Sequence, residues 1–152
     1  MQTSRKIHIS ICDQKLTVMD GDTAVRSYPV STSRFGIGTE TGSMKTPTGR
    51  FRVAEKIGGD TPSGTVFRSR VALRPLDPVP PTEDLVMSRI LWLDGLDEQN
   101  ANTRDRYIYI HGTKHEDKIG MPASCGCVRM RNVDVIELFD LVDEGVPVVI
   151  EE

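Results

Sequence analysis

The sequence predicts a mainly β domain closed by one helix near its C-terminus, and three observations carry the prediction. Short runs of alternating apolar and polar residues recur from residue 6 to residue 150. Thirteen glycines and nine prolines among 152 residues punctuate those runs with turns. A single segment, beginning at Asn132, carries apolar residues at helical spacing. The length suits one domain, residues 1–152, able to bury about two-thirds of its unfolded surface.

The elements follow in order. Residues 6–12, KIHISIC, place Ile7, Ile9 and Ile11 on one face of a first strand. KLTVMD follows at 15–20, and Asp20-Gly21 is a hairpin signal leading into TAVRSYPVS at 23–31. In KTPTGRFRVAE, 45–55, a proline turn returns to strand, with Phe51 and Val53 alternating against Arg50 and Arg52. From 55 to 84 the pattern dissolves into an irregular insert, a candidate lid, which holds five of the nine prolines. Strand character resumes in DLVMSRILWL at 84–93 and in RYIYIHGT at 106–113. Asn132 is placed to cap a helix whose Val135, Leu138, Phe139 and Val142 share one face, with Gly145 just past its end. VPVVIE, 146–151, is the final strand.

Composition excludes several classes of function. A formal charge of −3 gives no reason to expect nucleic acid or an anionic membrane as partner. No run approaches the ~20 apolar residues that span a bilayer. The opening MQTSRKIHIS lacks the apolar core of a signal peptide, so no export signal is expected in this chain.

The chemistry concentrates in SCGCVRM, 124–130, which holds two of the three cysteines. Four readings compete for it. Burial as small hydrophobes suits Cys12 and His8 in the first strand, but a polar, glycine-broken run offers no apolar stripe. Zinc would recruit His111, His115, Cys125 and Cys127, yet paired zinc cysteines are usually two to four residues apart and here only Gly126 intervenes. A Cys125–Cys127 disulfide would close a strained, labile loop. A nucleophile accounts for more of the residues. A free thiol is only a few per cent ionised at neutral pH, and lowering its pKa to about 6 requires roughly 3.4 kcal/mol of differential stabilisation. The predicted helix starts too far beyond Cys127 for its dipole to contribute much, so a histidine must supply most of it. His111 ends an alternating strand that can aim its ring. Gly126 bares the backbone beside Cys127, where amides of Gly126 and Cys127 can cradle an oxyanion. Arg129 offers a fork for a substrate carboxylate.

These residues resemble a known family. IHGT at 110–113, IG-x-PAS-x-GCVRM-x-N-x-DV at 119–135 and the closing V-x-x-G-x-PV-x-I are similar to the catalytic domain of the YkuD-type L,D-transpeptidases. QKLTVMDGDTAVRSYPVST and KTPTGRFRV resemble the same family's opening strands, so the likeness runs from about residue 6 to 150, loosest in the insert. It implies an L,D-transpeptidase-like β-sandwich or barrel, with the C-terminal helix packed beside the active-site strand and loop. It further implies Cys127 as nucleophile, His111 as base, and the Gly112 carbonyl as the group orienting the imidazole. Ser124 and Arg129 fall at family motif positions and take supporting and substrate-binding roles. Many members carry Ser-His-Gly-Cys, whereas Cys125 replaces that second histidine here and leaves His111 as the one well-placed base.

The implied reaction crosslinks peptidoglycan. Cys127 attacks the stem's diamino-acid carbonyl, terminal D-alanine leaves, and an acceptor amine resolves the thioester. Water as acceptor would give an L,D-carboxypeptidase, and a peptidoglycan-binding module without chemistry is the remaining alternative. No metal or cofactor is called for. The implied ligands are stem peptides and carbapenem-type inhibitors, and the implied location is the periplasm or cell wall.

Overall fold

The structure, a computed structural model, describes residues 4–79 and 85–152. Ten strands and one α-helix are found among them. β1 (Arg5–Ser10), β2 (Lys15–Asp20) and β3 (Thr23–Pro29) form an antiparallel meander. Asp20 pairs with Thr23, so the Gly21-Asp22 turn is the two-residue hairpin the sequence signals. β4 (Gly49–Ile57) and β7 (Val86–Gly95) pair antiparallel. The last strand, β10 (Pro147–Glu151), lies parallel to β1 and antiparallel to β4 and joins the two groups.

On its far edge β7 carries β8 (Tyr109–Gly112), which in turn pairs parallel with β9 (Val128–Met130). β9 does not end the sheet. Ser31, just past β3, exchanges backbone hydrogen bonds with Arg129 at 2.9 and 2.8 Å. The path β3-β2-β1-β10-β4-β7-β8-β9 thus returns to the chain leaving β3, a closed barrel-like ring that leaves β9 no bare edge there.

The main core fills this ring. Ile7, Ile9, Leu16, Val18, Phe51, Val53, Leu91, Leu93, Ile110 and Val128 are fully buried, following the period of two along each strand. Helix α1 (Asn132–Leu141) adds Val135, Leu138 and Phe139 to the same cluster. Each such side chain contributes roughly 1.5–3 kcal/mol by leaving water.

Three expectations are refined, and one strand is new. Asn132 is the first residue of α1 rather than its cap; Arg131 precedes the helix, and the Asn132 amide donates to Glu116 Oε2 at 2.7 Å. The insert is not wholly irregular. It extends β4 to Ile57 and forms a small hairpin, β5 (Val66–Arg68) with β6 (Val71–Ala72), laid on the start of β7. Residues 80–84 of the insert lie outside the described residues. The strand of RYIYIHGT begins only at Tyr109, because Tyr107 turns left-handed at φ 57°. β9, three residues long, carries too little pattern to predict.

Candidate active site

β8 brings His111 to the site. Along β8 and β9 the residues Ile110 and Val128 are paired and face the main core. Their neighbours His111 and Arg129 are paired on the opposite face. Tyr109 and Cys127 share that face, one pleat period back along each chain. Imidazole and thiol therefore lie on one side of β8, His111 through its pairing with Ile90 and Cys127 through its packing against Ile90 and Tyr109.

A second, smaller cluster covers this face. Phe67 of β5, Ile90 of β7 and Tyr109 form it, with Trp92 and Cys127 packed against them. His111 is fully buried, while Cys127 remains half-exposed. A bulge in β7 shifts the register between Met87 and Ile90, opposite Gly112 and His111, with Ser88 left-handed at φ 69°. Such bulges re-aim side chains beside functional sites.

The imidazole is oriented by its own backbone. His111 Nδ1 lies 2.5 Å from the Gly112 carbonyl oxygen, which can only accept, so Nδ1 carries the proton and Nε2 presents a lone pair. Gly112 must be glycine. A Cβ there would stand 2.7 Å from the Met87 carbonyl oxygen and closer still to Asn132 Oδ1. Asn132 is fixed in turn by Ser88 Oγ at 2.6 Å and by the Thr113 carbonyl at 2.9 Å. This is what the Asn of the helix start does in place of capping.

The thiol sits at the end of a tight turn. Gly126 has φ 125°, a region L side chains avoid, and its carbonyl accepts from Thr46 Oγ1 at 2.9 Å. Ser124 is buried, and its hydroxyl donates to the Cys127 carbonyl at 2.6 Å and accepts from the Gly126 amide at 3.3 Å. Ser124 thus shapes the turn from inside rather than facing a ligand. Cys127 Sγ donates to the Tyr107 carbonyl at 3.4 Å and accepts from the Tyr109 amide at 3.3 Å. The second contact would persist in a thiolate; the first would not. Cys12, Cys125 and Cys127 are all reduced, and no group of three metal-ligating side chains converges among the described residues.

Two arginines escaped the sequence reading. Arg106 donates to the carbonyls of Lys45 at 2.7 Å and Gly38 at 3.3 Å. Burial lowers its pKa, and the charges of Cys127 and Glu40 pull the other way, which marks Arg106 as a cation near the sulfur. Arg70, at the tip of the β5–β6 hairpin, donates to Tyr109 Oη at 3.0 Å. Its guanidinium lies 5.0 Å from the ring centres of both Trp92 and Tyr107. That phenol contact holds the Arg70 pKa up, while burial raises that of Tyr109. Only the polar, loop-like composition of the insert hinted at Arg70, and nothing local marked Arg106.

Comparison with known proteins identifies the family and the fold. The family model of the YkuD L,D-transpeptidase catalytic domain matches residues 4–150. Over 54 residues the chain is 41% identical to the putative L,D-transpeptidase YqjB of Bacillus subtilis, covering 35% of this chain and 31% of that protein. Over 41 residues it is 51% identical to the putative L,D-transpeptidase YkuD of the same organism, covering 27% and 25%. These matches span about a third or less of the curated relatives' length. The fold is similar to that of an L,D-transpeptidase from Xylanimonas cellulosilytica, with a TM-score of 0.65 at 19% identity over 99% of this chain and 62% of that one. It is likewise similar to L,D-transpeptidase 3 from Mycobacterium tuberculosis bearing a faropenem-derived adduct, at 0.62 and 18% over 98% and 60%.

Proposed function

Since this chain belongs to the YkuD family of L,D-transpeptidase catalytic domains, we propose that it crosslinks peptidoglycan stems through a thioester on Cys127. One observation carries the reading: Cys127 packs against the cluster of Ile90 and Tyr109, and Ile90 is the strand partner of His111, whose tautomer is fixed by the Gly112 carbonyl. His111 Nε2 takes the thiol proton, and the sulfur attacks the diamino-acid carbonyl at its L-centre. The oxyanion draws on the Cys127 amide and on the Gly126 amide, whose 3.3 Å contact with Ser124 is long enough to yield. His111 then protonates the departing D-alanine. An acceptor amine attacks the thioester, gives its proton to His111 and releases the crosslinked product. Arg129 holds a substrate carboxylate, and Ser124 positions the turn.

The β5–β6 hairpin acts as the lid. Arg70 docks its tip on Tyr109, whose amide contacts the sulfur, so a closed hairpin shields the thioester from water. That favours transfer to an amine over hydrolysis.

The test is product analysis with a tetrapeptide stem donor and an amine acceptor. Crosslinked dimer with one D-alanine released per bond, abolished in Cys127→Ala, supports the proposal. Tripeptide alone would assign a carboxypeptidase instead. Release that survives in Cys127→Ala would overturn the assignment of the nucleophile.

A further inference from the structure

The carbonyl that fixes the His111 tautomer stands at the end of a strand. Gly112 closes β8, and Thr113 already lies beyond the sheet. Glycine is dictated there by Asn132 and the Met87 carbonyl, which fill the space of a Cβ. The same choice removes the side chain that would restrict the backbone torsions, so neighbouring groups must hold the carbonyl in place.

Asn132 is placed to do so. Its Oδ1 and Cγ lie where a Gly112 side chain would stand, and its Nδ2 donates to the Thr113 carbonyl at 2.9 Å. The carboxamide thus grips the chain on both sides of the peptide whose oxygen meets His111 Nδ1 at 2.5 Å. Its orientation is decided by its partners. The Thr113 carbonyl can only accept, so the amino group faces it, which turns Oδ1 to the Ser88 hydroxyl at 2.6 Å. Ser88, fully buried and left-handed at φ 69°, is anchored in turn by the insert. Its amide donates to the Thr65 carbonyl at 2.8 Å, and its hydroxyl accepts from the Gly64 amide at 2.9 Å. That second bond leaves the hydroxyl proton for Asn132.

We propose that Asn132 and Ser88 are positioning residues for the reaction. Through the Gly112–Thr113 backbone they keep the proton of His111 on Nδ1 and its lone pair on Nε2. The inference rests on the function proposed above, in which that lone pair takes the thiol proton. With the Gly112 carbonyl turned away, the ring loses the acceptor that selects Nδ1–H. The Nε2–H form, which cannot accept a proton at that atom, then becomes populated. The relay also gives the insert a second task, since Gly64 and Thr65 hold Ser88 in its left-handed turn.

The experiment sets Asn132→Ala and Ser88→Ala beside wild type. Asn132→Ala keeps the backbone amide that donates to Glu116 and introduces a good helix former, so the start of α1 is retained. The first measurement is the nitrogen NMR spectrum of the His111 ring in the Cys127→Ala background, at a pH high enough to leave the ring neutral. Its signals are assigned by their loss in His111→Gln. A single Nδ1–H form is expected with Asn132 and Ser88 in place, and a mixture containing Nε2–H in Asn132→Ala and, more weakly, in Ser88→Ala. The second measurement is imipenem labelling of Cys127 in the thiol-bearing proteins. It is expected to slow about tenfold or more in Asn132→Ala and about threefold in Ser88→Ala. Folded variants that both keep the single Nδ1–H form overturn the proposal whatever their labelling rates, as does a ring that is not Nδ1–H with both residues present. If Asn132→Ala does not fold, Ser88→Ala decides alone. A mixed tautomer with labelling at the wild-type rate supports the positioning and removes His111 as the base. A tautomer that depends on Asn132 in a protein whose wild-type thiol takes up no imipenem supports the positioning and removes the thiol chemistry alone.

Discussion

His111 shows how narrowly the site is specified at the scale of single residues. Its ring is buried and its Nδ1 meets the Gly112 carbonyl at 2.5 Å, so its protonation pattern is decided by backbone. Gly112→Ala forces a methyl against the Met87 carbonyl and Asn132, and is expected to destabilise the fold by about 2–3 kcal/mol, read from the urea midpoint. Arg106→Gln removes a cation whose charge is coupled to that of Cys127. Alkylation of Cys127 by iodoacetamide at pH 7 should slow several-fold, with the midpoint of its pH–rate curve moved up; an unchanged curve would show that Arg106 serves the loop alone. The roles proposed for Cys127, His111 and Gly112 rest on residue type and spacing within one short stretch of chain, which a sequence displays directly. Arg106 was not legible, since its nearness to Cys127 depends on the left-handed turn at Tyr107 and on the Lys45 carbonyl far back in the chain.

The β5–β6 hairpin is the element on which the proposed transfer depends. Its turn residues Ser69 and Arg70 both have positive φ, 49° and 68°, where Asn or Gly would be usual. The contacts of Arg70 with Tyr109, Trp92 and Tyr107 offset that strain. Arg70→Ala is expected to release the tip. Hydrogen exchange of residues 66–72 should quicken, and the emission of Trp92, the single tryptophan, should change with it. Unaltered exchange would place the anchor elsewhere in the insert. At this scale the long strands and the helix were readable from periodicity. β5, β6 and β9 were not, because two or three residues hold no period and their pairing comes from β7 and β8. The cap of α1 was misread for a related reason: its acceptor, Glu116, is distant in sequence and close only in the fold.

Over the whole molecule, ring closure joins the site to the core. Ser31 pairs with Arg129 on one edge of β9 while β8 holds the other, so the strand after Cys127 is fixed from both sides. A mainly β class was evident from composition and alternation; the closing of the ring was not, because it rests on a bridge between residues 31 and 129. Acid should loosen the junction between the start of β4 and the end of β7. Asp97 accepts from the Arg50 backbone and guanidinium, which lowers its pKa. A depressed carboxylate contributes stability that is present above its unfolded value, near ~3.9, and lost as pH falls through the folded one. Asp97→Asn is therefore expected to be less stable than wild type at pH 7, with the gap in urea midpoint narrowing below pH 4. A gap constant with pH would assign the effect to the turn geometry rather than to charge.

The central claim, an ionisable thiol at Cys127 served by His111, is tested most directly by intact-mass spectrometry of the reduced protein after incubation with imipenem. The prediction is one adduct per chain, mapped to Cys127, absent in Cys127→Ala and formed about 100-fold more slowly in His111→Ala. A folded, reduced wild type that takes up no imipenem, or that labels as fast without the imidazole, would contradict it.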